Sequence, residues 1–264
     1  MHPLGEKYLR KSALPTIFCP GCGDGTVLNA MIRVLDKKGG AGSFAFVSGI
    51  GCSSWIPVMI NADVLHTLHG RALAVATGLK LAIPDKHVVV FTGDGDCMGI
   101  GGNHLIHAAR RNLDITVVMI NNYIYGMTGG QTSPTTPEGS RTKTAPYGNN
   151  EIPFDAATLV TGAGAGFVAR ETAAHPRRLE KTMTQALEYP GFAFLEVMTQ
   201  CPTQAGRNIF GNGAPEFIFG ELKRRAVIKA DAAVEADCFR VGVLHKDTKK
   251  APYSPSFSPK RGKA

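Results

Sequence analysis

The sequence predicts an α/β protein built on a doubly wound, mostly parallel sheet, in a chain of 264 residues. Three observations carry that expectation. Short runs that are apolar almost throughout, such as Val88 to Phe91 and Val117 to Ile120, are what strands covered on both faces require. They alternate with stretches of helical periodicity, the order of βαβ units. Two of the strands end in glycine or asparagine, in Gly93-Asp94-Gly95 and Asn121-Asn122, at the edge where open parallel sheets bind ligands. In order along the chain, Val27, Met31 and Leu35 recur at helical spacing in a helix over 25–37, and Phe44 to Val47 mark a strand over 43–48. A helix over 71–83 leads to a strand over 87–92, and a glycine-started helix over 101–111 leads to a strand over 114–120. A helix over 155–162 is followed by a strand over 166–170. Leu179, Met183 and Ala186 mark a helix over 175–189, and Phe192 to Met198 a final strand over 192–198.

The connection over 121–154 is rich in Gly, Thr, Pro and Asn, and a loop of that length inside a compact domain is usually functional. Gly162-Ala163-Gly164-Ala165-Gly166 looks like a dinucleotide loop but precedes a strand instead of following one, so it reads as a helix stop and turn. No internal repeat is found. The chain divides into a binding domain over 1–205 and a C-terminal extension with a basic tail over 206–264.

With 44% hydrophobic residues the chain can bury one large core. It shows no basic-then-apolar leader and no apolar run long enough to span a bilayer, and we expect a cytoplasmic protein with no membrane contact. The formal charge of +8 is mostly tail: Lys246 to Ala264 holds six basic residues and one acid, +5, which leaves +3 for residues 1 to 245. Pro252 to Pro259 reads as an extended segment, either solvated or lying on a partner. No basic-aromatic module accompanies the charge, so nucleic-acid binding is not expected.

The strand His87 to Thr92 runs into Gly93-Asp94-Gly95-Asp96, where glycines allow close approach to a phosphate. A right-handed crossover brings the ends of this strand and the next to one edge, so Asp94 and Asn122 face one crevice. Mg²⁺ takes hard oxygen ligands, and Asp94, the Asn122 amide oxygen and a nearby backbone carbonyl supply them. The spacing is that of a magnesium diphosphate site.

Six cysteines fall at 19, 22, 52, 97, 201 and 238. Cys19-Pro20-Gly21-Cys22, Gly51-Cys52-Ser53 and Cys201-Pro202 lie in loop contexts that present sulfur. Four such thiolates satisfy either a tetrahedral Zn²⁺ or a 4Fe–4S cluster, and spacing alone does not separate the two. Cys97 and Cys238 fit no pattern and read as small buried or tolerated thiols.

Gly93 to Asn122, with the continuation Asn121-Asn122-Tyr123-Ile124-Tyr125-Gly126-Met127-Thr128-Gly129-Gly130-Gln131-Thr132-Ser133-Pro134-Thr135-Thr136, resembles the thiamine diphosphate motif of the β subunit of 2-oxoacid:ferredoxin oxidoreductases. Phe18 to Gly23, Gly49 to Ser53 and Cys201 are similar to the cluster ligands of the same family. The likeness runs over about residues 17 to 202. It implies the diphosphate-binding fold, with thiamine diphosphate and Mg²⁺ held by Asp94, Asn122 and the Ile124 carbonyl. It implies a 4Fe–4S cluster on Cys19, Cys22, Cys52 and Cys201. Cofactor contacts are implied for Ile50, Gly51, Cys52, Ser53, His69, Gly93, Gly95, Asp96, Gly126 and Met127.

The reaction so implied is coenzyme A-dependent oxidative decarboxylation of a 2-oxo acid to acyl-CoA and CO₂, with electrons passing through the cluster to ferredoxin or another low-potential acceptor. The glutamate that activates the cofactor is expected on a larger α subunit with the pyrimidine-binding domain, γ and δ subunits being further possible partners. This chain alone is then inactive.

His66-Thr67-Leu68-His69-Gly70-Arg71 and Gly49 to Ser54 look most like the 2-oxoglutarate-type branch, in which a basic residue follows the cluster cysteine by three positions. Trp55 stands there in this chain. Its indole suits an aryl or branched 2-oxo acid such as phenylglyoxylate; the other reading keeps 2-oxoglutarate and lets Trp55 pack. Arg71 reads as a helix cap or as the orienter of an acidic partner, and the His104/His107 pair as helix surface or a buried hydrogen bond. A different class of reading is a non-redox thiamine diphosphate lyase or decarboxylase with a structural zinc.

Overall fold

The computed structural model describes residues 2–229 and 231–253. Helices α1 (Pro3–Tyr8) and α2 (Asp24–Lys37) precede strand β1 (Phe44–Ser48). A short helix α3 (Trp55–Val58) leads to β2 (Asp63–His66), then α4 (Ala72–Ala82), β3 (His87–Gly93), α5 (Gly102–Arg111) and β4 (Ile115–Asn121). The ribbon β5 (Ile124–Tyr125) and β6 (Gln131–Thr132) follows. The second half runs α6 (Ala156–Gly162), β7 (Phe167–Thr172), α7 (Pro176–Glu188) and β8 (Ala193–Met198). After it come α8 (Pro215–Arg225), the small pair β9 (Ala226–Val227) and β10 (Phe239–Arg240), and β11 (Gly242–Lys246).

Seven strands form one sheet in the order β11-β7-β8-β4-β3-β1-β2. All its pairings are parallel except β11 on β7. Alternation along each strand divides the interior in two. Phe44, Phe46, Val89, Phe91, Val118 and Ile120 face the core under α1, α2, α3 and α7. Val47, Val88, Val90, Val117, Met119 and Phe194 face the core under α4, α5 and α6. Because residues of both parities are buried, β3 and β4 must be apolar at nearly every position, and that is how they read.

The expected helices and strands are present to within one or two residues at each end. Two strands were not expected. β2 is an edge strand with three of four residues exposed, so it lacks the apolar run of an interior strand. β11 pairs antiparallel through an irregular register, with the same mixed exposure. One turn of wide helix over Gly95–Ile100 also precedes α5.

The stretch after residue 205 returns to the body: α8 buries Ile218 and Leu222, and β11 closes one side of the sheet. Residues 251–253 dock on the end of α5, where Asn112 Nδ2 donates to the Ala251 carbonyl at 2.8 Å. The remainder of the Pro252 to Pro259 segment, and the basic end after it, lie outside the described residues. Among the described residues no helix is long and apolar enough to cross a membrane.

Candidate cofactor and metal site

The carboxyl ends of β1, β3, β4 and β8 meet at one edge, and two cavities open there. The first, of about 200 Å³, is lined by Ile50, Gly51, Cys52, Ser53, His69, Gly93, Asp94, Gly95, Asp96, Ile120, Asn122, Ile124, Tyr125, Gly126, Met127 and Thr128. Every residue expected to contact a cofactor is among them, as are the three expected cation ligands. Gly95 has a steric reason to be glycine, since a Cβ there would run into the Tyr125 ring, whose hydroxyl donates to the Gly95 carbonyl at 3.1 Å.

Asp94 is 3% exposed. Ser133 Oγ and Thr135 Oγ1 both donate to its Oδ2 at 2.6 Å, which leaves Oδ1 without a hydroxyl donor. Burial pushes its pKa up to about 6, against the pull of those two hydroxyls. Among the described residues no lysine or arginine lines the cavity. An anion seated beside Asp94 and Asp96 therefore needs a cation between, and a buried carboxylate with one oxygen held back is the donor that Mg²⁺ prefers. The residues fit a metal-bound diphosphate.

Asn122 and Ile124 sit on a turn whose middle residue, Tyr123, has φ +67°, a left-handed value rarely taken by so large a residue. Asn121 Oδ1 accepts from Tyr123 N at 3.0 Å and Asn122 Oδ1 from Ile124 N at 3.1 Å, so the strain is held by side chains of the turn itself.

Asp96, besides lining the cavity, ties its walls together. Thr92 Oγ1 donates to its Oδ2 at 2.6 Å, while Gly70 N at 2.6 Å and Ile50 N at 3.3 Å donate to Oδ1. His69 Nδ1 lies 2.9 Å from the same oxygen. The carboxylate thus pins the turns after β1 and β2 to the end of β3, and the residue meets the cavity as part of its wall. Arg71 stands at the N-cap position of α4 but its side chain makes no capping bond, a guanidinium having no acceptor to offer the first N–H groups; it donates instead to the Ile100 carbonyl at 3.2 Å.

The second cavity, of about 400 Å³, is lined by Cys19, Cys22, Cys52 and Cys201, together with Ile17, Phe18, Trp55, Asn122, Gly126, Met127 and Pro202 to Gln204. Four cysteines from three distant parts of the chain converge there. All are free thiols. Burial, reinforced by Asp24, raises the pKa of Cys22, and burial raises that of Cys52 to about 12. Such thiols become thiolates only with a metal to offset the charge. Among the described residues no three of these sulfurs lie within 4.8 Å of one another. A zinc tetrahedron with bonds of about 2.3 Å would bring its sulfurs to about 3.8 Å. Four thiols on one cavity can satisfy either group, and a 4Fe–4S cluster takes one thiolate per corner.

Cys97 is buried in the core under α4 and α5, and Cys238 lies beside Asp237 on a different pocket. His104 and His107 lie on the outer part of α5. Trp55 lines the cysteine cavity, not the first one, and packs against the core with its ring 6.5 Å from that of His66. Sequence reasoning missed Ser133 and Thr135 as partners of Asp94, although the hydroxyl-rich run Thr132-Ser133-Pro134-Thr135-Thr136 was the available signal.

Comparison with known proteins agrees with this geometry. Residues 49–197, more than half of the chain, match the family described as thiamine pyrophosphate enzyme, C-terminal TPP binding domain. The 2-oxoglutarate synthase subunit KorB of Methanothermobacter marburgensis is 59% identical over 202 residues, 76% of this chain and 71% of that protein. The β subunit of 2-oxoacid:ferredoxin oxidoreductase 2 from Aeropyrum pernix is 41% identical over 187 residues, 70% of this chain and 60% of that one. The chain belongs to the 2-oxoacid:ferredoxin oxidoreductase β-subunit family. A solved 2-oxoglutarate:ferredoxin oxidoreductase from Magnetococcus marinus, with 2-oxoglutarate, coenzyme A and succinyl-CoA bound, superposes on this β-subunit chain with a TM-score of 0.83. The two are 35% identical, and the match covers 94% of this chain and 86% of that one.

Proposed function

We propose that this β-subunit chain supplies the diphosphate and cluster sites of an oxidoreductase that converts a 2-oxo acid and coenzyme A to acyl-CoA and CO₂, the electrons leaving through a 4Fe–4S cluster to ferredoxin or a similar acceptor. One observation carries the reading: the two cavities share Cys52, Asn122, Gly126 and Met127, so a cofactor in one and a cluster in the other would be separated by no more than these residues. Asp94, Asn122 and the Ile124 carbonyl would hold Mg²⁺, with Gly93, Gly95 and Gly51 offering backbone close to the diphosphate. Ile50, Ser53, His69, Asp96 and Met127 would complete the walls. Cys19, Cys22, Cys52 and Cys201 would ligate the cluster. When bound, thiamine diphosphate supplies the electron sink for decarboxylation of a 2-oxo acid.

The chain's own groups prepare that site in stated ways. Ser133 and Thr135 hold Asp94 by one oxygen, so its other oxygen faces the cavity already oriented. Asp96 fastens two turns to the end of β3 and so fixes that wall. Thr203 Oγ1 lies 3.8 Å from both Cys19 Sγ and Cys201 Sγ, a hydroxyl placed to share charge with two thiolates.

For substrate we favour 2-oxoglutarate, on the names of the relatives and on the position of Trp55. An indole on the cysteine cavity is badly placed to floor an aryl substrate. We assign the activating glutamate to a larger partner subunit, with γ and δ subunits as further partners. Among the described residues both cavities are lined by residues up to 204, while the stretch after 205 joins the same body through α8 and through β11, a strand of the main sheet. Four unpaired thiols suit the reducing cytoplasm.

The test is anaerobic purification of the chain with its native partners, followed by visible spectroscopy and metal analysis. About four irons per β chain, after clusters on partners are counted, supports the reading. A colourless protein containing zinc, which releases aldehyde and ignores coenzyme A, would replace it with the lyase. Turnover with 2-oxoglutarate and phenylglyoxylate then separates the substrates, and a preference for the aryl acid would restore Trp55 to the substrate site.

A further inference from the structure

Asn121 stands at the end of β4, outside the cofactor cavity and 3% exposed. Its amide is used at both ends. Nδ2 donates to Glu196 Oε1 at 2.8 Å, while Oδ1 accepts from Tyr123 N at 3.0 Å and faces Thr135 Oγ1 at 3.1 Å. Glu196, on neighbouring β8, is 2% exposed, and its second oxygen accepts from Arg170 Nε at 2.6 Å. Arg170, paired with Glu196 across β7 and β8, reaches on to Asp155 Oδ1 at 3.0 Å, at the cap of α6. A line of polar groups thus crosses three adjacent strands and ends on Thr135, the hydroxyl that donates to Asp94.

A primary amide is not symmetric. An ionised carboxylate only accepts, so Glu196 obliges Nδ2 to face it and leaves Oδ1 to face the Tyr123 N–H. Were the amide reversed, its NH₂ would meet that N–H, and the left-handed turn at Tyr123 would lose the bond that holds it. Asn122 and Ile124 flank Tyr123 on either side, and both line the cofactor cavity. Glu196 also sits in a strand whose other residues are all buried, where an apolar side chain would be the simpler choice for stability.

We propose that Glu196 is a positioning residue for the cation: by fixing the direction of the Asn121 amide it holds the Tyr123 turn that presents Asn122 and Ile124 beside Asp94. This rests on the reading of those three residues as the cation's ligands.

The test uses the purified multi-subunit complex, stripped of cation and cofactor, with Mg²⁺ or Ca²⁺ titrated calorimetrically at saturating thiamine diphosphate. Asn121 Nδ2 and Arg170 Nε face different oxygens of Glu196, and in Glu196→Gln only one of those two positions remains an acceptor. The Mg²⁺ dissociation constant should rise by about tenfold or more, the usual size of an outer-shell loss. Ca²⁺, which accepts irregular coordination, should weaken by less than about threefold. Asn121→Ala removes the same orienting bonds while leaving Glu196 paired with Arg170, and it should give the same change in preference. It decides the matter should Glu196→Gln fail to fold. Mg²⁺ binding within about twofold of the parent in a folded variant, or equal weakening of both cations, overturns the proposal, because a merely structural role would not alter a preference that depends on ligand geometry. Asp94→Asn checks the reading beneath it. Unchanged Mg²⁺ binding there removes the ligand assignment itself, whereas loss in Asp94→Asn with none in the other two variants removes only the positioning role.

Discussion

The two cavities at the sheet edge are built on opposite principles. On the carboxylate side the buried donors and acceptors already satisfy one another: Asp94 has two hydroxyls, Asp96 has four neighbouring polar hydrogens or ring nitrogens, and Asn121 uses both ends of its amide. On the thiol side they do not. Both oxygens of Asp24 and Gln200 Oε1 are buried without a hydrogen-bond partner, each within two residues of a cavity cysteine, whereas on the carboxylate side, among the described residues, Ser53 Oγ alone is left so. Burial pushes the Asp24 pKa up to about 7. One side is therefore prepared in advance, and the other needs its inorganic group to complete it.

The contrast is broken most directly at the cysteines. Cys22→Ser or Cys201→Ser in the full complex should abolish the brown chromophore and cut turnover by more than about a hundredfold, with a marked fall in thermal stability, because the thiol side has little else to hold it. Iron analysis and a melting curve measure both. A variant that keeps its iron and its stability would show that this side is self-supporting after all.

Asp94→Asn should have the converse signature. Cation and cofactor affinity should fall by about ten- to a hundredfold, while the iron content and visible spectrum stay those of the parent. Loss of the cluster in this variant would mean that the two sides fold as one unit and that the contrast between them is false.

The partition between the sides can be sharpened at Gly126. A Cβ there would sit 3.4 Å from Cys201 Sγ and 4.0 Å from Cys52 Sγ, ordinary contact distances. Gly126→Ala should keep iron and turnover within about twofold, whereas Gly126→Leu should lower both by about tenfold, since overpacking typically costs 1–3 kcal/mol. Equal behaviour of the two variants, measured by iron content and turnover, would deny that this residue separates two occupied sites.

How far these features were legible in the sequence depended on where their causes lay. Gly93 to Asp96, Asn121-Asn122 and the cysteines were readable because glycine, amide and thiol chemistry is local, and parallel crossovers carry strand ends to one edge without further information. The interior strands were readable because both of their faces are buried. β2 and β11 were not, since sheet-edge strands need no apolar run, and the partners of Asp94 were not, because Ser133 and Thr135 arrive from about forty residues away through a loop with no periodicity. Glu196 looked like an ordinary charge in a strand pattern. Only the strand order β7-β8-β4 brings it between Arg170 and Asn121. The sequence likewise assigned cofactor and cluster ligands without revealing that their cavities share a wall.

The smallest effect separates the sides by pH. Burial raises the Asp94 carboxyl from an unfolded value of 3.8 to about 6 in the metal-free chain. Between those values the folded chain holds a proton that the unfolded chain has released, so stability falls as pH rises through this window and is lowest once the buried carboxylate is ionised. At about 1.4 kcal/mol per unit, the contribution is on the order of 3 kcal/mol at most. Asp24 acts in the same direction up to about pH 7. Melting curves of the stripped complex at pH 5 and pH 7.5 should therefore differ more for the parent than for Asp94→Asn, in which one of the two titrations is removed. Mg²⁺ with thiamine diphosphate should narrow the parent's difference by stabilising the ionised form, and Mg²⁺ affinity should decline below about pH 6 as protons compete. An identical pH response in parent and variant would mean that Asp94 carries no buried charge, and the carboxylate side would then lack the feature that calls for a cation.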